Sequence, residues 1–202
     1  MRQFDGDTLV LATHNKGKVE EISDLLSGYV QSFPTAATLG LSEPEETGVT
    51  FAENAIIKAV SAMKESGLPA LSDDSGLAVT ALDGAPGIYS ARWGGENKDF
   101  KMAMTRVHDE LGEAADRTAA FVCALALAWP DGHIETFEAR CEGEIVWPMR
   151  GDQGHGYDPV FQPKGFSTTF AEMGMAEKQK LSHRGKALRM MFDGCFATRK
   201  RA

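Results

Sequence analysis

The chain is predicted to fold as a single α/β domain, residues 1–202, with helices flanking a mixed sheet, and three observations predict it. An apolar run, Thr8–Ala12, leads through a short polar loop into residues with helical spacing. Two further segments carry apolar residues on one helical face. Two long apolar or alternating segments, separated by Pro130-Asp131-Gly132, have the form of an antiparallel hairpin. With 202 residues, 43% of them hydrophobic, the chain can bury a substantial core without disulfides or metal staples.

Taken in order, Thr8–Ala12 is the first strand, and Val19, Ile22, Leu25 and Leu26 mark the helix after it. Phe51, Ala55, Ala59 and Met63 line one face of a second helix, and Phe100, Met104, Val107 and Leu111 line a third. Strands are predicted at Ala70–Ser72, Leu77–Leu82, Ala119–Trp129 and His133–Glu142. In the last, Phe137, Ala139 and Cys141 alternate with Glu138, Arg140 and Glu142. Thr169 and Glu172 have capping-box spacing, and Leu188, Met191, Phe192 and Cys195 mark a closing helix. Such a fold leaves room for two lobes divided by a cleft.

A net charge of -8 disfavours attraction to nucleic-acid backbones, and the basic run Arg199-Lys200-Arg201 reads as a solvated tail. Cys123, Cys141 and Cys195 lack the spacing of a zinc site or a disulfide framework, so each is expected to be a small buried residue. Met1–Asp7 has no apolar run of the secretory kind, and no segment reaches the length of a membrane span. A cytoplasmic protein without nucleic-acid or membrane partners is expected.

Five places could carry chemistry. Thr13-His14-Asn15-Lys16-Gly17-Lys18 sets a hydroxyl, a carboxamide and two ammonium groups at a helix start, where unpaired N–H groups and the helix dipole favour a polyphosphate. An ordinary capped turn has the same composition. Ser72-Asp73-Asp74-Ser75-Gly76 follows a predicted short strand. Neighbouring side chains there face opposite ways, so one aspartate enters the cleft, and Asp74 is the choice because Ser75 and Gly76 follow it. Glu45 or Glu46 could add an oxygen ligand for Mg²⁺, or be a solvated loop charge. Gly154-His155-Gly156-Tyr157-Asp158-Pro159 puts an imidazole and a phenol beside glycines whose missing Cβ atoms let a planar ligand approach. Ser182-His183-Arg184-Gly185 offers donors before the last helix, with Lys178 upstream.

Together with Glu45-Glu46-Thr47-Gly48, Phe51-Ala52-Glu53-Asn54-Ala55 and Gly84-Ala85-Pro86-Gly87-Ile88-Tyr89-Ser90-Ala91-Arg92, these motifs occur in the order found in the dITP/XTP pyrophosphatases, also called inosine triphosphate pyrophosphatases. The chain resembles that family from about Thr8 to Phe192. The resemblance implies an inosine triphosphate pyrophosphatase-like α/β fold, with a long mixed sheet and two lobes around an active-site cleft. It also implies a homodimer and Mg²⁺-dependent cleavage of non-standard purine nucleoside triphosphates such as dITP, ITP and XTP between the α and β phosphates. Thr13, His14, Asn15, Lys16, Gly17, Lys18 and Lys58 would then hold the triphosphate. Asp74 would be the catalytic carboxylate and touch the metal, together with Glu45 or Glu46. Ser75 would lie next to the nucleotide, and His155, Gly156, Tyr157, Asp158, Lys178, His183 and Arg184 would read the base. His14 stands where the family often has glycine, and His155 where it often has phenylalanine, although an imidazole can still stack.

Overall fold

The structure, a computed structural model, describes residues 1–13 and 15–197. His14 and the Arg199-Lys200-Arg201 run lie outside the described residues. The order of elements is β1 (Val10–Leu11), α1 (Lys16–Leu26), α2 (Ala36–Leu39), α3 (Phe51–Ser66), β2 (Ala70–Val79), α4 (Phe100–Leu111), β3 (Thr118–Ala128), β4 (Ile134–Ile145), β5 (Phe161–Pro163), α5 (Met175–Leu181) and α6 (His183–Cys195).

The five strands form one sheet in the order β1-β2-β3-β4-β5. β1 runs parallel to β2, with Val10 opposite Ala70, and β5 runs antiparallel to β4, with Ile145 opposite Phe161. The sheet is therefore mixed, as the sequence predicts. The β3–β4 connection closes with the Trp129 N–H donating to the His133 carbonyl, and so short a link can only return the chain antiparallel. β3 is buried at every position after Thr118, as its unbroken apolar run requires, whereas β4 buries Phe137, Ala139 and Cys141 and exposes Glu138, Arg140 and Glu142.

The chain divides into two compact units. The first comprises Met1–Asp74, Ala124–Glu138 and the chain from Ala187 onward, and the second Ser75–Cys123 and Ala139–Lys186. The first core is rich in small residues. Ala55, Ala59, Ala62 and Met63 of α3 meet Val10, Ala70, Ala124, Ala126 and Ala128 of the sheet. Alanine against alanine lets the helix lie close to the strands. The second core is larger-grained, with Met104, Val107 and Leu111 of α4 packed among Leu77, Phe121, Phe161 and Phe170.

Two expectations change. Ala70–Ser72 and Leu77–Leu82 are not two strands, because β2 runs unbroken from Ala70 to Val79 and Thr80–Leu82 form a 3-10 turn. The polar Ser72–Gly76 run suggested an interruption, but its side chains find partners and the backbone stays extended. The Thr169–Glu172 spacing does not open a helix. The Glu172 carboxylate does accept the Thr169 N–H at 2.8 Å, yet the pair closes a turn, and α5 starts only at Met175. All three cysteines are buried, and burial pushes the Cys195 thiol up to about 11. Among the described residues no helix is long and apolar enough to cross a membrane.

Candidate active site

The acidic run lies in the middle of β2, so the alternation of an extended strand governs its two aspartates directly. Asp73 and Asp74 find different lysines on different helices of the first unit. Asp73, with its side chain almost wholly buried, meets Lys18 of α1 at 2.6 Å. Asp74 meets Lys58 of α3 at 3.0 Å, and the same Lys58 ammonium reaches Glu46 at 2.7 Å. Asp73, which strand alternation turns away from the cleft in the sequence reading, is the carboxylate that holds Lys18.

Lys58 thus serves two carboxylates at once. Burial works against its charge, but Asp74, Glu46 and Asp73 outweigh that and hold its pKa above the usual lysine value. For Asp74 the balance goes the other way. Burial, with the charges of Glu46 and Asp73, pushes its carboxyl up more than the Lys58 ammonium pulls it down. A carboxylate with a raised pKa beside a lysine and a second acid is the arrangement in which proton acceptance is expected.

Geometry separates the two candidate glutamates. Glu45 is exposed, whereas Glu46 is partly buried and joined to Lys58. Among the described residues no group of three or more His, Cys, Asp or Glu side chains is gathered as a metal cage.

At the start of α1, Asn15 is the helix cap, its Oδ1 accepting the Lys18 N–H at 3.3 Å, and Thr13 Oγ1 accepts the Asn15 N–H at 3.2 Å. The capped-turn reading of this loop is therefore realised. It does not exclude an anion, because a single cap leaves other first-turn N–H groups pointing outward. Gly17 is exposed there.

In the second unit, Lys178 of α5 is ion-paired with buried Asp158, which also accepts the His155 N–H at 2.8 Å. His155 itself is exposed. The ring of buried His183 stacks on Phe121 at 4.8 Å, and Arg184 donates to Ser75 Oγ at 3.3 Å. Gly185 is obligatory here, because a Cβ would lie 1.9 Å from the Gln179 carbonyl oxygen.

Two expectations for the glycine-rich segment do not hold. Tyr157 is not offered to a ligand: it is 2% exposed, its ring packs edge-on against Phe100, and its hydroxyl donates to the Ser90 carbonyl at 2.8 Å. Burial raises the pKa of that phenol, so it remains a donor. The missing Cβ at Gly154 makes room for the protein, not for a planar ligand, since a side chain would strike Asp158 and press on Lys178. Gly156 has φ +69 and needs glycine for that conformation.

Two contributions escaped the sequence reading. Ser90, in the Gly84–Arg92 motif, accepts the Leu77 N–H at 2.9 Å and so braces the strand after Ser75. Asn54, 1% exposed, binds both the Gly48 N–H and Asp74. It belongs to the Phe51–Ala55 motif, where its own signal is an amide in the first turn of an otherwise apolar helix face.

Residues 9–194 match the model of the Ham1 family. A dITP/XTP pyrophosphatase of Rhodospirillum centenum is 59% identical over 199 residues, covering 97% of this chain and 98% of the relative. One of Gluconobacter oxydans is 56% identical, covering 96% and 93%. Among solved structures, a HAM1 protein of Coxiella burnetii superposes with a TM-score of 0.88 at 39% identity, covering 93% of this chain and 97% of that one. With motif order, fold and near full-length similarity in agreement, the chain belongs to the Ham1 family.

Proposed function

We propose that this chain hydrolyses dITP, ITP and XTP to the nucleoside monophosphate and pyrophosphate with Mg²⁺, removing non-standard purines before they enter DNA or RNA. The observation that carries the reading is the sharing of Lys58 between Glu46 and Asp74 in a chain 59% identical to a dITP/XTP pyrophosphatase.

The donor chemistry fits Mg²⁺, which prefers oxygen, keeps several waters and needs only one or two carboxylates beside substrate phosphates. Glu46 and Asp74 would supply them, and the bound ion would polarise the phosphate oxygens and a water. Lys18 and Lys58 neutralise charge on the triphosphate, exchanging a carboxylate partner for a phosphate one. Asp74 orients the attacking water and takes its proton, a task that a raised pKa favours over an ordinary aspartate. The N–H groups of the first turn of α1 face the polyphosphate.

In the second unit the Lys178 ammonium has three donors, of which Asp158 takes one. A remaining donor, with those of His183 or Arg184, suits the 6-keto oxygen of hypoxanthine and xanthine and opposes the 6-amino group of adenine. A homodimer in the cytoplasm completes the reading. Steady-state kinetics on ITP, dITP, XTP, dUTP and dTTP, with Mg²⁺ and with chelator, test it. Pyrophosphate release from the purine triphosphates alone, abolished by chelator, is expected; orthophosphate as the first product, or a preference for dUTP, refutes it. Sedimentation of the same sample reads the dimer.

A further inference from the structure

The Glu46 carboxylate sits in a loop, yet the proposed chemistry needs it at a fixed distance from Asp74 on β2. We infer that Asn54 is the positioning residue that fastens this loop to Asp74 and so sets the spacing of the two carboxylates, an inference that rests on the pyrophosphatase reading. Asn54 stands in the first turn of α3 and is 1% exposed. Its Oδ1 accepts the Gly48 N–H at 2.9 Å. Because a backbone N–H can only donate, this bond decides the orientation of the amide and turns its NH₂ toward Asp74, whose Oδ2 lies 3.5 Å away. One side chain thereby joins the loop two residues after Glu46 to the partner carboxylate itself.

The loop has been cut to fit this bond. A Cβ at Gly48 would come within 2.7 Å of both Asn54 Oδ1 and Glu53 Cβ, and within 2.9 Å of the Asn54 nitrogen, so only glycine can approach closely enough. The next residue is held as well, with the Val49 N–H donating to Glu53 Oε2 at 2.7 Å, and Thr50 Oγ1 accepts the Glu53 N–H at 3.1 Å. These neighbouring bonds fix the entry into α3, but only Asn54 also reaches Asp74. A buried amide with both ends committed is costly to truncate, because Gly48 would lose its acceptor and Asp74 its neutral donor together.

The experiment compares the full-length native chain with Asn54→Ala and Asn54→Asp. Three quantities are read: amide exchange at Gly48 by NMR, Mg²⁺ affinity of the nucleotide-free protein by calorimetry, and kcat and KM for ITP. In Asn54→Ala, Gly48 exchanges faster and Mg²⁺ binds roughly 10- to 100-fold more weakly, the usual range for partners that orient metal-binding groups. Its kcat falls with it, while KM for ITP stays near native. Asn54→Asp keeps an acceptor for Gly48 but sets an anion against Asp74, so native protection at Gly48 accompanies a lowered kcat. Unchanged Gly48 exchange or unchanged Mg²⁺ affinity in a folded Asn54→Ala overturns the inference, as does absence of Mg²⁺ binding by the native chain. If Asn54→Ala does not fold, Asn54→Asp decides: a lowered kcat with Gly48 protected supports the inference, and a native kcat overturns it. Should the native chain hydrolyse no triphosphate, the pyrophosphatase reading fails, while exchange and calorimetry still decide the role of Asn54.

Discussion

Lys58 in the first unit and Lys178 in the second are both partly buried beside carboxylates, but Lys58 is shared by Glu46 and Asp74 whereas Lys178 is ion-paired with Asp158. Around Lys58, among the described residues, three carboxylates, Glu46, Asp73 and Asp74, meet two lysines, Lys18 and Lys58. Burial first, and then the charges of Glu46 and Asp73, leave Asp74 with a raised pKa against the pull of Lys58. Around Lys178 the charges match, and the Asp158 carboxylate is further occupied by a backbone N–H. The first cluster is built to exchange partners and the second to keep them. The difference is one of stoichiometry and hydrogen bonding, since the residue types are the same.

The largest effect expected from breaking this contrast is on turnover. Asp74→Asn keeps the shape but cannot accept a proton at neutral pH, so kcat should fall by ~10² to 10⁴-fold at saturating Mg²⁺, the usual worth of a general base. Near-native turnover would remove Asp74 from the chemistry. Asp73→Asn should act differently, because it releases Lys18 and leaves Asp74 in place, so it should change KM for ITP more than kcat.

In the matched cluster, truncation should damage the fold. Asp158→Ala leaves the partly buried Lys178 ammonium without its carboxylate, at a cost of up to about 3–5 kcal/mol, the range for a fully buried pair. Urea unfolding measures this, and a loss under 1 kcal/mol would mean that Lys178 finds water or another acceptor.

The sign should reverse in the surplus cluster. A raised Asp74 pKa means that its contribution to stability is complete below the ordinary carboxylate range and is lost as pH rises through its folded value. At pH 7 the ionised group therefore burdens the metal-free fold, and Asp74→Asn should melt no lower than the native chain. The difference should shrink as pH falls from 7 toward 4, because a raised pKa lets native Asp74 take up its proton earlier than an ordinary aspartate does. Melting curves at the two pH values, with chelator, check this. A clearly lower Tm for the variant at pH 7 would show that the Lys58 bond outweighs burial.

The smallest effect expected is that of Lys18→Ala. Its ammonium already has Asp73 as a partner, so part of its attraction to phosphate is offset by the bond it must leave. KM for ITP should rise with the fold retained, and unchanged KM would take the start of α1 out of the site.

Periodicity by itself determined the fold class, the faces of α3 and α4, the alternation of β4 and the hairpin, because burial of an apolar stripe or stretch reads directly from spacing. Composition and motif order named Asp74, Lys18 and Lys58 as chemistry-bearing residues. Tertiary structure alone decided the partners. That Ser72–Gly76 runs on as strand depends on Lys18, Lys58 and the Ala55 carbonyl waiting beside it. Tyr157 is a core residue because Phe100 and the Ser90 carbonyl surround it, which no local pattern around Tyr157 records. Which of Glu45 and Glu46 meets Lys58 is decided by the reach of one ammonium from α3, and the position of Gly48 by an amide six residues later. Spacing along a chain says which face a side chain takes, but pairing energies depend on groups brought together across the fold, where burial strengthens each charge interaction and penalises each one left unmatched.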